Sequence, residues 1–442
     1  VPIALAGLSG GLLFFLSRRF TNPWVALAAW LFWTTATPNL RFLSGYFSQG
    51  ATLAIWLLGF WALAVRLEKA SRASLVLLAS LTAFGLLVRP LTMLAFAIPA
   101  AAVVLADMAG RRAWRDLPFA IMPALLVLAI LPVANARTTG DAWTMPYTVY
   151  SRAYMPIDRV GFGRDPAAPT RPLPTEMRRF LDDYEPLHRA HRLSNLPGIL
   201  LERLRRLFAF TFEGGRALLI PFAVVGLFGL DRRLAFPLLS GGLLLLFHLL
   251  YAHPPVWVLY YLELLPAVAL LVGLGVWVLA ARLLARPRPR LSETLARVDA
   301  RPAAAMALVL LLAAAPALAD AARLRSLLFL QAAPFSYFRA VVDELPGRAI
   351  VFVRYPEGDP GHRALVRNAP DSEEARVWIV RDLGEENRRL LDAAPDRTAY
   401  VYDVRSATLA PVSRGTSGFR RPAEPARAPR SAAAATRRTP AA

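Results

Sequence analysis

Basic residues fall into every second gap between the long apolar stretches of this chain. Apolar stretches lie near residues 1–16, 23–36, 51–65, 74–88, 91–105, 117–134, 217–230, 234–251, 258–281 and 302–319. The gaps holding Arg18/Arg19, Arg66/Lys69/Arg72, Arg111/Arg112/Arg115, Arg232/Arg233 and the segment 282–301 together carry sixteen Lys/Arg. The other short gaps carry only Arg41 and Arg89. Short loops rich in Lys/Arg are retained on the cytoplasmic side of a membrane, whereas nothing in a soluble fold demands the alternation. The pattern predicts an α-helical polytopic membrane protein with about ten transmembrane helices.

Composition agrees. Hydrophobic residues make up 56% of the chain, against roughly 45–50% in soluble domains, and the mean hydropathy is +0.41. The net charge of +20 sits largely in short loops, where it orients helices and meets anionic lipid head groups. The expected partner of that charge is therefore membrane lipid, not nucleic acid. Lys69 is the only lysine, and Ala, Pro and Leu are abundant. This is the bias of a GC-rich bacterial genome, and it lowers the weight of any single arginine. The absence of cysteine excludes disulfides, thiolate metal sites and a cysteine nucleophile. Val1 already lies in an apolar stretch without a basic n-region, so the first stretch is not expected to be a signal peptide.

Spans of about 20 residues cross a hydrocarbon core of roughly 30 Å. With Arg18/Arg19 inside, the first span enters from outside, and a preceding span is expected before Val1. Segments 39–50, 89–90, 137–214, 252–257 and everything after 319 then fall outside a bacterial cytoplasmic membrane. Five regions follow: helices over 1–136, an outer loop over 137–214, helices over 215–320, an outer α/β domain over 335–412, and a disordered tail over 413–442. Within the loop, apolar spacing at 177–193 and 196–210 predicts helices on the membrane surface. In the C-terminal domain, residues 335–345 read as a short amphipathic helix. Segments 349–354, 376–381 and 399–404 read as strands, with a helix over 385–394.

Ionisable groups at the outer membrane face are the first functional candidates. Arg89, followed by Pro90 and Thr92, either takes a phosphate of a lipid carrier by bidentate hydrogen bonds or snorkels to lipid head groups. Arg41, beside Tyr46, Ser48 and Gln49, has the same two readings. Glu263, in Tyr260-Tyr261-Leu262-Glu263-Leu264-Leu265-Pro266, holds a sugar hydroxyl, acts as a base, or forms a structural pair across the bundle. His253 has no second ligand at a metal-binding spacing, so no metal is predicted. His248 reads as packed within its helix, and His188 and His191 as solvated. Asn135–Asp141, Met145-Pro146-Tyr147 and Asp158–Gly163 suit the roof of a substrate cleft. None of Asp141, Asp158, Asp165, Asp182 and Asp183 sits in a pattern that marks a catalytic base. No phosphate-binding loop, dinucleotide fingerprint, zinc-protease helix or nucleophile elbow is present, and no cofactor is called for.

Val88-Arg89-Pro90-Leu91-Thr92, Thr139-Gly140-Asp141 with Pro146-Tyr147, Asp158-Arg159-Val160-Gly161-Phe162-Gly163 and the Tyr260–Pro266 motif together resemble bacterial GT-C glycosyltransferases. The nearest group is that of the protein O-mannosyltransferases and aminoarabinose transferases. Asn368-Ala369-Pro370-Asp371, Val377-Trp378-Ile379-Val380 and Asp396-Arg397-Thr398-Ala399-Tyr400 are similar to the outer domain appended to some bacterial members. The resemblance implies sugar transfer from a polyprenyl-phosphate donor to an acceptor hydroxyl on a protein, lipid or polysaccharide, with inversion. A carboxylate in the first outer loop is the implied base, and basic residues stabilise the departing phosphate. Arg89 and Arg41 become donor-phosphate contacts. Tyr46, Asp141, Tyr147, Tyr260 and Glu263 become cleft residues. The chain departs from the pattern at Val258-Leu259, where an arginine often precedes the tyrosine motif, and the implied base is expected upstream of Val1. A multi-pass transporter or flippase of a lipid-linked or anionic substrate is the alternative, although no paired broken helices in matching halves support it. A non-catalytic assembly protein whose outer domain binds partners is a third reading.

Overall fold

The computed structural model describes residues 1–45, 47–157, 159–163, 168–173, 175–230, 232–284, 300–356, 365–369 and 371–412. The chain forms two compact units, one of Val1–Leu173 with Leu181–Phe329, the other of Pro174–Phe180 with Leu330–Ala442.

Each of the ten apolar stretches is helical. The helices are α1 (Pro2–Phe20), α2 (Pro23–Thr34), α3 (Thr37–Phe42), α4 (Ser48–Lys69), α5 (Arg72–Val88), α6 (Pro90–Arg111), α7 (Pro118–Leu128) and α8 (Ile130–Thr139). They continue with α9 (Pro146–Tyr154), α10 (Thr175–Ala190), α11 (Leu196–Thr211), α12 (Ile220–Leu227), α13 (Arg232–His248), α14 (Leu265–Leu284) and α15 (Ala300–Asp343). Among the described residues, five segments are long and apolar enough to cross a membrane: Pro2–Phe20, Ser48–Lys69, Pro90–Arg111, Trp114–Thr139 and Val258–Ala280. Pro23–Thr34, Arg72–Val88 and Leu234–His248 are shorter apolar helices, and Leu193–Thr211 meets Gly214–Leu227 at a 110° bend. The chain is a multi-pass membrane protein.

Local chemistry sets the helix ends. Asn22 accepts from the amides of Trp24 and Val25 at 3.0 Å and caps α2, with Pro23 in the first turn. Ser71 caps α5 through the Ser74 amide. Helix α14 is the axis of the bundle, since nearly all of the most apolar 18-residue stretch of Val258–Ala280 is buried while none of that of Trp114–Thr139 is. It gains that position through glycines. A Cβ on Gly275 would lie 1.7 Å from the Phe222 carbonyl oxygen, and one on Gly226 would lie 2.0 Å from that of Leu271. Backbone therefore meets backbone between α12 and α14, the contact that small residues permit in apolar surroundings. Trp56, Phe96, Phe236, Phe60 and Phe20 form a chain of ring contacts, each 5.3 to 5.7 Å between centroids, tying α4, α6, α13 and α1 together.

The basic residues at the Arg-rich end are not simply solvated. Arg66, fully buried, donates to Asp107 at 3.2 Å and to Asp116 at 2.9 Å. Arg111 donates to Asp107 at 2.5 Å and Arg72 to Asp116 at 2.7 Å. Arg19 pairs with Glu68. This network links α4, α5, α6 and the turn at Trp114–Asp116.

In the second unit, the predicted strands appear as β1 (Ala349–Arg354), β2 (Val377–Arg381) and β3 (Thr398–Asp403), and the helix between the latter two is α16 (Asn387–Ala393). A fourth strand, β4 (Thr408–Pro411), adds antiparallel to β3, giving the order β2-β1-β3-β4 with β1 parallel to both neighbours. Central strand β1 is apolar on both faces. Ile350 and Phe352 pack with Leu391 of α16, while Val351 and Val353 pack with Phe338 and Val342, as a parallel strand covered on two sides requires. Phe335–Asp343 is the end of the 44-residue helix α15 and not a separate short helix. The tail at 413–442 lies outside the described residues.

Candidate functional site

Arg89 is held at the junction of two helices. Pro90 forces the preceding residue out of the helical region, and Arg89 has φ −149° and ψ 86°. Its amide still donates to the Gly85 carbonyl at 2.8 Å, and its carbonyl accepts from the Met93 amide at 2.9 Å. One residue thus ends α5 and opens α6, so its side chain starts from a fixed point. The guanidinium lies 5.4 Å from the centroid of the Tyr260 ring, within cation–π range. Its Nη1 is buried and has no hydrogen-bond partner among the described residues.

Tyr260 and Glu263 belong to a 3-10 turn, Val258–Leu264, that leads into α14, and Tyr261 kinks it with φ −121° and ψ 17°. The turn packs against α3, α4, α11 and α13. Tyr260 is enclosed by aromatic rings: His253 at 4.8 Å, His248 at 5.3 Å, Tyr251 at 5.8 Å and Trp257 at 6.0 Å between centroids. Glu263 is 2% exposed. It borders a small cavity of about 30 Å³ whose other walls include Leu13, Ser17, Trp56, Phe60 and Pro237, and the space suits a water or two. Neither carboxylate oxygen has a hydrogen-bond partner among the described residues. Thr52 lies beside it, but the Thr52 hydroxyl donates to the Ser48 carbonyl at 2.7 Å.

Two residues behind this turn hold the assembly. Arg203, 2% exposed on α11, donates to the carbonyls of His248 at 2.6 Å and Tyr251 at 2.8 Å. It satisfies carbonyls at and just beyond the end of α13, which lack partners within the helix. His253 bonds to the Pro254 carbonyl through Nδ1 and to the Tyr261 hydroxyl through Nε2, both at 2.9 Å. A carbonyl only accepts, so Nδ1 carries the proton and Tyr261 donates to Nε2. Burial, reinforced by the charge of Arg203, pushes the His253 pKa down to about 2, so the ring is neutral. Burial, reinforced by Tyr260 and Asp183, pushes Tyr184 up to about 12. Tyr184 stacks 5.4 Å from Trp257.

The segment after α9 is pinned over this region. The Gly161 amide donates to the Leu250 carbonyl at 2.7 Å and the Gly163 amide to the His191 carbonyl at 3.0 Å. Phe162 stacks on the His191 ring at 5.1 Å. His191 is therefore 3% exposed and not solvated as its sequence suggests. Burial first, then Arg203, lowers its pKa. His188 is half-buried. His248 packs within its helix as expected, with Nδ1 bonded to the Leu244 carbonyl at 3.0 Å.

Arg41 is exposed on α3 with its guanidinium 5.6 Å from the neighbouring Phe42 ring. Asp141 is exposed and closes a turn, accepting from the Trp143 amide at 3.0 Å and the Thr144 hydroxyl at 2.5 Å. The Thr144 hydroxyl, with the Trp143 amide, holds its carboxyl below the usual range. Tyr147 opens α9 and is exposed. Tyr46 and Asp158 lie outside the described residues. No group of three or more His, Asp or Glu among the described residues is arranged to hold a metal.

No family model matches the chain, and no curated protein does. Solved structures do. The crystal structure of ArnT from Cupriavidus metallidurans bound to undecaprenyl phosphate aligns with a TM-score of 0.51 at 13% identity, covering 91% of this chain and 78% of that one. The fold is GT-C-like. The apo form of the same ArnT aligns at 13% identity over 90% of this chain and 78% of that one, with a TM-score of 0.48. At such identity the likeness is one of architecture. Within the GT-C-like bundle, Arg89, Tyr260, Glu263 and the buried histidines around the 3-10 turn are the polar cluster to be explained.

Proposed function

We propose that the chain is a membrane glycosyltransferase that moves a sugar from a polyprenyl-phosphate donor to an acceptor hydroxyl, with inversion at the anomeric carbon. The observation that carries the reading is Arg89. Its guanidinium stands on a fixed backbone, rests against Tyr260 and keeps Nη1 without a hydrogen-bond partner among the described residues, inside a fold shared with an ArnT solved with undecaprenyl phosphate. The acceptor oxygen attacks the anomeric carbon as the bond from that carbon to the phosphate oxygen breaks, and the phosphate leaves with the electron pair. Arg89 stabilises the charge that develops on it. The acceptor proton passes to a carboxylate base, a role that neither enclosed Glu263 nor turn-capping Asp141 fits.

Tyr260 forms the aromatic wall against which Arg89 is held, and Arg41 is a second cation for the carrier phosphate. The 159–163 segment, with Asp141 and Tyr147, forms the roof for the acceptor. The arginine distribution favours the bacterial cytoplasmic membrane, with the Arg-rich short segments inside and the C-terminal α/β unit outside.

Transfer is tested in proteoliposomes supplied with a panel of sugars on undecaprenyl phosphate. Arg89→Ala abolishes sugar-dependent release of free carrier, while Arg89→Lys, which keeps charge but loses the planar fork, retains a minor fraction. Unchanged transfer by Arg89→Ala removes the site assignment.

A further inference from the structure

Arg89 is the N-cap of α6, since its carbonyl accepts the first intrahelical bond, from the Met93 amide. Before that bond, Pro90 has no N–H, and the amides of Leu91 and Thr92 stand where a helix leaves its donors without carbonyl partners. The Arg89 side chain does not cap them, and no acidic residue stands in the first turn. The helix end therefore keeps its positive partial charge, roughly half an elementary charge. Thr92 is 1% exposed, and its hydroxyl has no hydrogen-bond partner among the described residues. A helical threonine commonly bonds the carbonyl four residues back, as Thr34, Thr52 and Thr138 do at 2.7 to 2.9 Å. At Thr92 that carbonyl belongs to Val88, the last residue of α5, beyond the break at Arg89. The N-cap and third residues of a helix face each other across its first turn, which is why side chains there bond reciprocally in a capping box. The unmet Thr92 hydroxyl and the unmet Nη1 of Arg89 thus share one helix end, and Pro90 beside them is exposed.

We propose that the N-terminus of α6 is the second half of the phosphate site, the Thr92 hydroxyl and the Leu91 and Thr92 amides donating to the same phosphate that Arg89 binds. This rests on Arg89 being the phosphate contact. The ligand class is a lipid-linked phosphate ester. Its oxygens are spread tetrahedrally, so one group can meet the guanidinium and the helix end at once, as anions at helix N-termini do. A buried hydroxyl without a partner is costly, and the bound phosphate removes that cost. Thr92 is a binding residue here and takes no part in proton transfer.

The test measures binding of undecaprenyl phosphate, and of undecaprenol as the same tail without the anion, to the full chain in detergent. Thr92→Val replaces the hydroxyl by a methyl. It weakens undecaprenyl phosphate about tenfold, the scale of a lost hydrogen bond to a charged group, and leaves undecaprenol unchanged. Thr92→Ser, which keeps the hydroxyl, binds as wild type does. Stability reads in the opposite direction. The hydroxyl bonds nothing in the empty protein, so Thr92→Val melts no lower than wild type, yet gains less from added undecaprenyl phosphate. A hydroxyl with a structural role would lower the melting temperature and leave the gain from ligand intact. That result overturns the proposal, as does equal weakening of undecaprenol. Displacement of undecaprenyl phosphate by equimolar phosphatidylglycerol gives the site to ordinary head groups and overturns the carrier as its ligand. Arg89→Ala separates the two readings. If it leaves binding of undecaprenyl phosphate untouched, the phosphate-site reading itself fails. If it weakens binding while Thr92→Val does not, only the role of α6 fails.

Discussion

Tyr261 donates its phenolic proton to Nε2 of His253 across 2.9 Å, while Nδ1 of the same ring donates to the Pro254 carbonyl. The pair locks the start of the 3-10 turn onto the loop before it, and so fixes the path of the chain that carries Tyr260 and Glu263. The bond from Tyr261 needs the neutral imidazole, since only an unprotonated Nε2 accepts.

Acid sensitivity follows from that tautomer. The unfolded chain protonates His253 near its ordinary pKa of 6.5, whereas the folded protein holds it neutral down to about 2. Below 6.5 the unfolded state binds a proton that the folded state does not. Stability is therefore undiminished above 6.5 and falls as pH drops, by up to about 1.4 kcal/mol per pH unit for this one group. His191, also lowered by burial, acts in the same direction. Thermal unfolding in detergent from about pH 7.5 to about pH 5 reads the slope. His253→Gln flattens it; a slope identical to wild type refutes the assignment.

Helix contact at Gly275 allows no side chain. Its Cβ would meet the Phe222 carbonyl oxygen at 1.7 Å, a backbone atom that moves only with α12. Gly275→Ala should destabilise by at least the roughly 1–3 kcal/mol of ordinary overpacking. Gly242 is the control, since nothing lies within 4 Å of its Cβ position. There Gly→Ala gains up to about 1 kcal/mol from helix propensity. Melting temperatures of the two variants should move in opposite directions.

Arg66 joins Asp107 and Asp116 in the interior, while Arg72, on the same Asp116, is 59% exposed. Removing the buried partner leaves carboxylates short of compensation, at a cost of about 3–5 kcal/mol. Removing the exposed one costs under about 1 kcal/mol. Arg66→Ala should lower the denaturation midpoint well below that of Arg72→Ala; equal effects contradict the network as drawn.

The membrane class was legible because apolar length and arginine placement act over whole segments. The strands of the second unit were legible because β-branched runs alternate with turn residues, though β4, with Thr408, Leu409, Ala410 and Pro411, carries little of that signal. Arg89 and Tyr260 were legible as polar groups at segment ends, but their contact joins residues far apart in sequence and only packing reveals it. Arg203 was hidden among the arginines of the long loop. Its one mark is position: Leu196, Leu200, Arg203 and Leu207 recur at helical spacing, which puts a charge on the apolar face. His191 was misread because its burial comes from Phe162 and the pinned 159–163 segment, neither of which its own helix pattern records.

The most direct measurement is carrier release in proteoliposomes, comparing wild type with Arg89→Ala on sugar-linked undecaprenyl phosphate. A glycosyltransferase whose phosphate site is Arg89 releases free carrier in step with acceptor glycosylation, and the variant loses both while keeping the wild-type melting temperature. Release that persists in Arg89→Ala, or movement of intact sugar-linked carrier across the bilayer with no transfer, would contradict the account.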